Sequence, residues 1–233
     1  MTKLLSRVEG IGFNNMYYLG FGVLPMKVLG YGEDALCYWA LTAQTGKILE
    51  LLGDRSPTAE TVLFLRPSFG RQGSSLAIPG GTADSSQFGE FDALMGTPIG
   101  VYLIEAKWSR SGEIEGNSIL LRLEQVRRHQ LFRAYLGAWR THKPANWTEF
   151  LDLQGEFIEA GSIKYPVAPQ GSQLSRNLET VLSGISACGT PVFDVLLYLR
   201  CAEGRVVETV RNSEFRLVTI DCPSSYGFVK LGC

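Results

Sequence analysis

The sequence predicts an α/β fold in which helices flank a central mixed β-sheet. Two observations predict it. The run from Val101 to Trp108 is apolar, β-branched and aromatic, too short for a typical helix and preceded by Pro98 and Gly100, so it predicts a strand. Both faces of that strand are largely apolar, and a strand covered on both faces belongs inside a layered α/β domain. The strongest helical pattern of the chain, Asn117 to Trp139, follows directly, with Asn117 or Ser118 as its cap.

The elements before this strand follow from spacing and from turn residues. Helical spacing predicts a first core helix from Glu33 to Leu52, which Gly53 ends. Thr61 to Leu65 predicts a first strand. A connection rich in Gly and Ser, Pro67 to Ser86, then leads into a second strand that ends at Asp92. The order up to Trp139 is therefore helix, three strands, helix.

The rest of the chain completes one domain. Val192 to Leu199 predicts the fourth core strand. Residues 144–190 contain two amphipathic helical patterns, Trp147 to Ile158 and Leu174 to Ile185. We interpret them as a helical insertion into a single domain that spans residues 1–233, and an ordinary peripheral helical pair is an equal alternative. Two edge strands are predicted after it, Val206 to Val210 and Phe215 to Ile220.

Three charged residues close the predicted strands: Asp92, Glu105 and Lys107. Because side chains alternate along a strand, Glu105 and Lys107 share one face. A carboxylate and an ammonium at the end of a buried strand need a partner charge or a metal. Glu105-x-Lys107 is the only Glu-x-Lys of the chain, and a surface ion pair at a strand end is the alternative interpretation.

This pattern resembles that of the PD-(D/E)xK nucleases, the superfamily of restriction endonucleases and Holliday-junction resolvases. The resemblance covers roughly Glu33 to Leu199, and Phe91 stands where the family often has proline before Asp92. It implies a restriction-endonuclease-like core with the order αβββαβ. It also implies hydrolysis of DNA phosphodiester bonds with Mg²⁺ or Mn²⁺ as cofactor, since these hard cations prefer oxygen ligands.

The resemblance assigns a role to each residue of the motif. Asp92 and Glu105 would be metal ligands, and the main-chain carbonyl of Ala106 would be a third. Lys107 would orient or help to deprotonate the attacking water and would offset charge on the scissile phosphate. Asp92, Glu105 and Lys107 are therefore the expected catalytic residues.

Supporting residues are expected on both predicted core helices. Family members often carry a further acid on the first helix, which Glu33 or Glu50 could supply, although Glu33 could equally be a favourable charge at a helix N-terminus. In several branches a glutamine on the second helix helps to hold the site, and Gln125 and Gln130 are the candidates. Glu90 shares a strand face with Asp92 by parity and is a further candidate.

The charge distribution allows a local DNA-binding surface. The net charge of −1 argues against a protein that coats nucleic acid non-specifically. The stretch from Arg122 to Lys143 is nevertheless basic, with Glu124 as its only acid. A solvated helix face explains such a run equally well. The candidates for DNA contact are Arg122, Arg127, Arg128 and Arg133.

The expected function is a restriction or defence endonuclease acting on DNA. A structure-specific repair or recombination nuclease, or a non-catalytic nucleic-acid-binding member of the fold, remains an alternative. The resemblance is also compatible with a homodimer, because such enzymes commonly dimerise. The five cysteines show no metal-ligand spacing, and their odd number suits reduced thiols in the cytoplasm. Pro25 and Lys27 interrupt the apolar segment from Met16 to Gly30, so no membrane span is expected.

Overall fold

The centre of the fold is a five-stranded mixed β-sheet. The computed structural model describes residues 28–70, 80–223 and 227–231. With labels in chain order, the strands lie side by side in the order β13 (Phe215–Asp221), β11 (Val192–Arg200), β6 (Val101–Trp108), β5 (Ala93–Gly96) and β2 (Val62–Leu65). β2, β5 and β6 form an antiparallel meander, while β11 is parallel to both β6 and β13.

Helices cover both faces of this sheet. One face packs against α1 (Gly32–Ala43) and α2 (Thr45–Leu52), and the other packs against α3 (Leu123–His142), α4 (Trp147–Gln154) and α5 (Gln173–Ile185). The predicted α/β class, with a mixed central sheet flanked by helices, is therefore confirmed. The side chains of β6 alternate as expected, with Val101 and Leu103 on the α3 side and Tyr102 and Ile104 on the α1 side.

Shorter strands decorate the core. β1 (Val28–Tyr31) pairs with β14 (Phe228–Leu231), β3 (Ser68–Phe69) with β4 (Gly89–Glu90), and β9 (Phe157–Ala160) with β10 (Ile163–Pro166), all antiparallel. β8 (Ser118–Ile119) lies between β7 (Ile114–Glu115) and β12 (Thr209–Val210). A 3₁₀ turn spans Thr58–Glu60.

Three predicted elements have different bounds in the structure. The first helix is broken at Gln44 into α1 and α2. α3 begins at Leu123 and not near Asn117, because Ser118 and Ile119 pair in β8 with strands on either side. The second strand, predicted to end at Asp92, ends as β4 at Glu90, and Asp92 lies between β4 and β5.

The segment at residues 144–190 is not purely helical. Its first helix ends at Gln154, and a β-hairpin of β9 and β10 occupies the space between the helices. α5 is amphipathic and buries Leu178, Leu182 and Ile185 completely in the core beside β6. The interpretation of this segment as an insertion stays a prediction.

Two sequence expectations fall partly outside the described residues. The apolar segment from Met16 to Gly30 is described only from Val28, and the Pro67 to Ser86 connection lacks residues 71–79. Within the described ranges, no helix has the length and apolar character that crossing a membrane requires. The described cysteines, Cys37, Cys188, Cys201 and Cys222, are free thiols.

Candidate active site

The three residues of the predicted motif lie at one end of the sheet. Asp92 immediately precedes β5, and Glu105 and Lys107 close β6. Because β5 and β6 are antiparallel, the start of one strand adjoins the end of the other. The carboxylate oxygen Oδ2 of Asp92 accepts the backbone N–H of Ala106 at 2.6 Å. The β5–β6 pairing ends at Ala93 and Ile104. Asp92 thus accepts the N–H of Ala106, which lies beyond this last pair.

The Glu105 carboxylate is buried and is bound by three side chains of α3. Glu105 is only 1% exposed. Its Oε2 accepts from Nε2 of Gln125 at 3.0 Å, and its Oε1 lies 2.8 Å from Nη1 of Arg128 and 3.3 Å from Nε2 of His129. Residues three and four apart share a helix face, so one turn of α3 supplies all three contacts. This turn fixes the position of the carboxylate.

A second layer of charge lies behind His129. Nδ1 of this buried histidine is 2.8 Å from Oδ1 of Asp194 on β11, and Nη2 of Arg133 is 2.8 Å from Oδ2 of the same carboxylate. Burial would raise the pKa of Asp194, but the hydrogen bonds from His129 and Arg133 outweigh it and hold the pKa below the usual value. Asp194, His129 and Glu105 therefore form a continuous buried chain.

Lys107 is also buried, and its partner is an acid from the following turn. Nζ of Lys107 lies 3.5 Å from Oε1 of Glu113, which is also 3.0 Å from Nη2 of Arg122. Oε2 of Glu113 accepts from the Ser111 hydroxyl. Burial acts to raise the pKa of Glu113, but the Ser111 hydrogen bond and the charges of Lys107 and Arg122 lower it overall. The Lys107 ammonium is held beside the carboxylates without a direct bond to Asp92 or Glu105.

Asp92 has the most perturbed carboxyl group of the site. Burial first, and then the negative charges of Glu105 and Glu33, raise the pKa of Asp92 to about 7, and the Ala106 N–H and Lys107 offset this only in part. A positive ion placed between Asp92 and Glu105 would relieve the repulsion that disfavours two ionised carboxylates here. Perturbation of this kind is typical of functional sites.

Of the two candidate acids on the first helix, Glu33 lies at this end of the sheet. Its Oε2 accepts the backbone N–H of Trp108 at 3.2 Å. Burial raises the pKa of Glu33, and the charge of Lys107 opposes the increase. Glu50 is exposed on α2 and pairs with Lys47 at 2.9 Å, so it does not join the site.

The two candidate glutamines also separate. Gln125 donates to Glu105 and at the same time accepts the backbone N–H of Arg122 at 3.0 Å through Oε1, which ties the start of α3 to β6. Gln130 is exposed on the same helix and makes no such contact. Glu90 is 2.7 Å from Nε of Arg66, which also pairs with Asp34, so its side chain belongs to a partly exposed charge cluster next to the site.

The four arginines proposed to contact DNA do not form one continuous exposed row along α3 and its N-cap. Arg128 and Arg133 point inward, to Glu105 and Asp194, with side-chain exposures of 12% and 35%. Arg122 is 71% exposed while it pairs with Glu113. Arg127 is half-buried and has no ion pair within the described parts of the chain. Arg128 therefore compensates the buried Glu105, and of the four candidates Arg122 is the most accessible.

Sequence reasoning missed three residues of this site: His129, Asp194 and Glu113. The helical spacing of Gln125, Arg128 and His129 could have found the histidine, because all three share one face. Asp194 is the only charged residue in the run from Val192 to Leu199, which was also a usable signal. No local pattern marks Glu113, whose position depends on the turn after β6.

The donor set fits a hard divalent cation only in part. Among residues 28–70, 80–223 and 227–231, no three His, Cys, Asp or Glu side chains form a group with metal-ligand spacing. Two acidic side chains, Asp92 and Glu105, do lie close enough to repel each other. Mg²⁺ commonly uses one or two carboxylates and completes its shell with water and substrate phosphate oxygens. Two carboxylates therefore suffice, although a cation would have to share Glu105 with Arg128.

Comparison with known proteins adds no identification. No protein-family model matches the chain, and neither the curated proteins nor the solved structures include a significant match.

Proposed function

We propose that the chain is a metal-dependent nuclease that hydrolyses DNA phosphodiester bonds and has a restriction-endonuclease-like core. The observation that carries the proposal is the convergence of Asp92, Glu105 and Lys107 at the adjoining ends of β5 and β6, with the pKa of Asp92 raised to about 7 by burial and by Glu105. A surface ion pair at a strand end would be exposed. Glu105 and Lys107 are only 1% and 8% exposed, and each has several charged neighbours.

The topology supports the same proposal. The core elements occur in the order helix, three antiparallel strands, helix, and a strand parallel to the third. This is the αβββαβ order that the resemblance implies. Asp92 immediately precedes the second core strand, β5, and Glu105 and Lys107 lie on the third, β6, which fits the order expected for such a nuclease.

Asp92 and Glu105 would hold the Mg²⁺ or Mn²⁺, together with the main-chain carbonyl of Ala106. When bound, the cation would supply Lewis-acid stabilisation of charge on the phosphate and would lower the pKa of a coordinated water. The protein's part is to hold the carboxylates at a fixed separation, which Gln125, Arg128 and His129 do for Glu105.

Lys107 would act on the water and on the phosphate. Its ammonium is buried beside the acids and is positioned by Glu113, so it can donate hydrogen bonds to a substrate oxygen without first losing a shell of bulk water. Glu33, from the opposite face of the sheet, fixes the backbone at Trp108 immediately after Lys107. It would thereby support the position of the lysine.

One observation favours a second candidate, a non-catalytic nucleic-acid-binding protein. Arg128 already neutralises Glu105 at 2.8 Å, as an internal cation would do in a site that no longer binds metal. The complete motif and the raised pKa of Asp92 favour catalysis. Restriction or defence remains our first expectation for the biological role and repair or recombination the second, and both stay predictions.

Cleavage of supercoiled plasmid and of mixed unmodified DNAs, with Mg²⁺ or Mn²⁺ and with EDTA as a control, tests the proposal. Lys107→Ala should abolish cleavage and leave folding intact. Lys47→Ala is the matched control, because Lys47 is an exposed lysine paired with Glu50 on α2. Discrete fragments that require metal and Lys107 would support a restriction-type enzyme, and nicking or smearing would support a repair-type enzyme. Cleavage that survives in Lys107→Ala, or no cleavage of any substrate, would contradict the proposal.

A further inference from the structure

An exposed group of aromatic side chains lies at the same end of β6 as the candidate active site. Tyr31 and Phe228 face each other across the β1–β14 pair with ring centroids 4.8 Å apart, and Tyr31 meets Trp108 edge to face at 6.0 Å. The guanidinium of Arg110 lies 5.5 Å from the centre of the Trp108 ring. We call Tyr31, Trp108 and Phe228, with Arg110, the aromatic platform.

The platform is open to solvent. Tyr31 is 54% exposed and Phe228 is 51% exposed. Grouped apolar rings of this kind are uncommon on the surface of a protein and mark places where a ligand or partner binds. A glycine permits the arrangement, because a Cβ at Gly227 would lie 2.7 Å from the Trp108 ring.

The platform is connected to the catalytic candidates by the backbone. Trp108 is the residue after Lys107, and its N–H is held by Glu33, two residues after Tyr31. The positive charge of Lys107 opposes the rise in the pKa of Glu33, and the negative charge of Glu33 contributes to the raised pKa of Asp92. The Trp108 side chain lies on the α1 face of β6, opposite to Glu105 and Lys107, so a nucleotide on the platform would reach the motif around the end of β6.

We propose that the aromatic platform stacks an unpaired nucleobase, so that the preferred substrate is nucleic acid with unpaired nucleotides beside the scissile phosphate. This inference rests on the proposed nuclease function and deepens it. Aromatic rings stack on free base faces for about 1–3 kcal/mol per base, and arginine adds a cation–π contribution. In an intact duplex these faces are covered by neighbouring bases, so a flap, tail or single strand would bind better than blunt duplex.

The charge around the platform favours a base over a bare phosphate. Glu33 and Asp34 lie in the first turn of α1, directly after Tyr31, and would repel a phosphate that arrived without a cation. Arg110 is the platform's own positive charge, and its Nη1 is 3.5 Å from the Tyr31 hydroxyl. A neutral base face seated between aromatic rings and a guanidinium fits this distribution.

Binding can be measured separately from cleavage. Fluorescence anisotropy with the full chain, in EDTA and in Ca²⁺, would compare a labelled single strand, a blunt duplex and the same duplex with an unpaired tail. We expect the single strand and the tailed duplex to bind more tightly than the blunt duplex. Tyr31→Ala and Phe228→Ala should each weaken the tailed and single-stranded complexes by about tenfold, within the range that stacking supplies, and Tyr31→Phe should bind like the wild type.

Tyr38→Ala is the matched control, because Tyr38 is an exposed tyrosine of α1 outside the platform. A 2-aminopurine in the unpaired tail gives a second readout, since stacking on the platform should change its fluorescence with the wild type and not with Tyr31→Ala. Thermal melting of each variant confirms folding.

The outcomes separate the two proposals. Wild-type binding by Tyr31→Ala and Phe228→Ala, while Lys107→Ala is inactive, would overturn the platform and leave the nuclease standing. Absence of metal-dependent cleavage by the wild type, with binding lost in Tyr31→Ala, would overturn the nuclease and leave the platform standing as a binding site. A change in sedimentation mass of Tyr31→Ala, without any change in DNA binding, would overturn the platform as a base site and assign it to contact with a second copy.

Discussion

Two aspartates at opposite ends of the central sheet have opposite electrostatic environments. Asp54, beside the β5–β6 turn, is 3% exposed; its Oδ2 accepts the hydroxyls of Thr97 at 2.7 Å and Tyr102 at 2.8 Å, and its Oδ1 accepts the Ser56 N–H at 2.7 Å. Burial acts to raise the pKa of Asp54, but these hydrogen bonds outweigh it and lower the pKa. Asp92 lies near other carboxylates, and its pKa is raised to about 7.

The difference shows that burial alone does not determine what a carboxylate does. Hydrogen-bond donors surround Asp54, and a fully satisfied polar network of this kind fixes local structure. The turn from Thr97 to Gly100 is part of that network, since the Thr97 hydroxyl also accepts the Gly100 N–H. At Asp92 the repulsion from Glu105 and Glu33 is only partly compensated. A ligand that brings positive charge would relieve this remaining repulsion and would therefore bind more favourably.

The largest expected effect separates the two aspartates by function. Asp92→Asn should lower metal-dependent cleavage by at least about a hundredfold, because a cation contributes several kcal/mol to stabilising the transition state. It should not lower thermal stability at pH 8, because it removes a charge that burial and Glu105 disfavour and its amide oxygen can still accept the Ala106 N–H. Cleavage rates and melting curves measure both. A loss of stability as large as that of Asp54→Asn would break the comparison.

The second effect is on folding. Asp54→Asn should lower the free energy of unfolding by about 1–3 kcal/mol, because its NH₂ group would face the hydroxyl and N–H donors that the carboxylate accepts. Activity per folded molecule should stay at the wild-type level. Urea unfolding at pH 7 measures the stability, and cleavage at a temperature where both proteins are folded measures the activity. A loss of activity in the folded variant would contradict a purely structural role.

The Asp54→Asn variant also tests how the free energy of unfolding depends on pH. Because folding lowers the pKa of Asp54, its contribution to stability is present above the ordinary aspartate pKa and is lost as the pH falls through the lowered value of the folded state. The difference in unfolding free energy between wild type and Asp54→Asn should therefore be constant from about pH 7 to 5 and shrink below about pH 4. A difference that grows toward acid pH would reverse the sign of the argument.

More of the Asp92 end than of the Asp54 end could be predicted from the sequence, and the reason is physical. At the Asp92 end, the two-residue period of β6 is a local signal, and it predicted that Glu105 and Lys107 share one face of the strand. The helix glutamines came from the resemblance, which left Gln125 and Gln130 open, and only Gln125 contacts Glu105. Asp92 was expected at the end of the second strand, and it lies instead between β4 and β5. The catalytic roles of these residues stay predictions.

The remainder depends on contacts between distant segments. Asp54 meets Thr97 and Tyr102 only because α2 ends above the β5–β6 turn, and no local pattern gives that position. The start of α3 was misplaced partly for the same kind of reason, since β8 pairs on one side with the distant β12 and on the other with β7. Asp194 reaches His129 because β11 lies parallel to β6, an order that periodicity does not specify.

The third expected effect tests how the Asp92 end is held in place. Gln125→Ala should lower cleavage by about tenfold, the lower end of what outer-shell partners of metal ligands contribute, because Glu105 loses one of the three side chains that contact it. Gln130→Ala is the matched control, an exposed glutamine on the same helix, and should have no effect. Rates at varied Mn²⁺ concentration should show the loss mainly as weaker metal binding, with more Mn²⁺ needed to reach half of the maximal rate. Equal rates for the two variants would mean that Arg128 and His129 hold Glu105 without Gln125.

The smallest expected effect compares the two ends as surfaces for a polyanion. Arg122, 71% exposed beside Glu113 and Lys107, and Arg55, exposed beside Asp54, have the same side chain at opposite ends of the sheet. If DNA binds at the Asp92 end, Arg122→Gln should reduce the slope of log K against log salt concentration by about 0.9, the amount for one phosphate contact, and Arg55→Gln should leave it unchanged. Anisotropy titrations in Ca²⁺ between about 50 and 200 mM salt measure the slope. A larger change for Arg55→Gln would place the DNA at the Asp54 end. It would contradict the assignment of the Asp92 end as the substrate-binding end, because DNA would then bind beside the fully hydrogen-bonded Asp54.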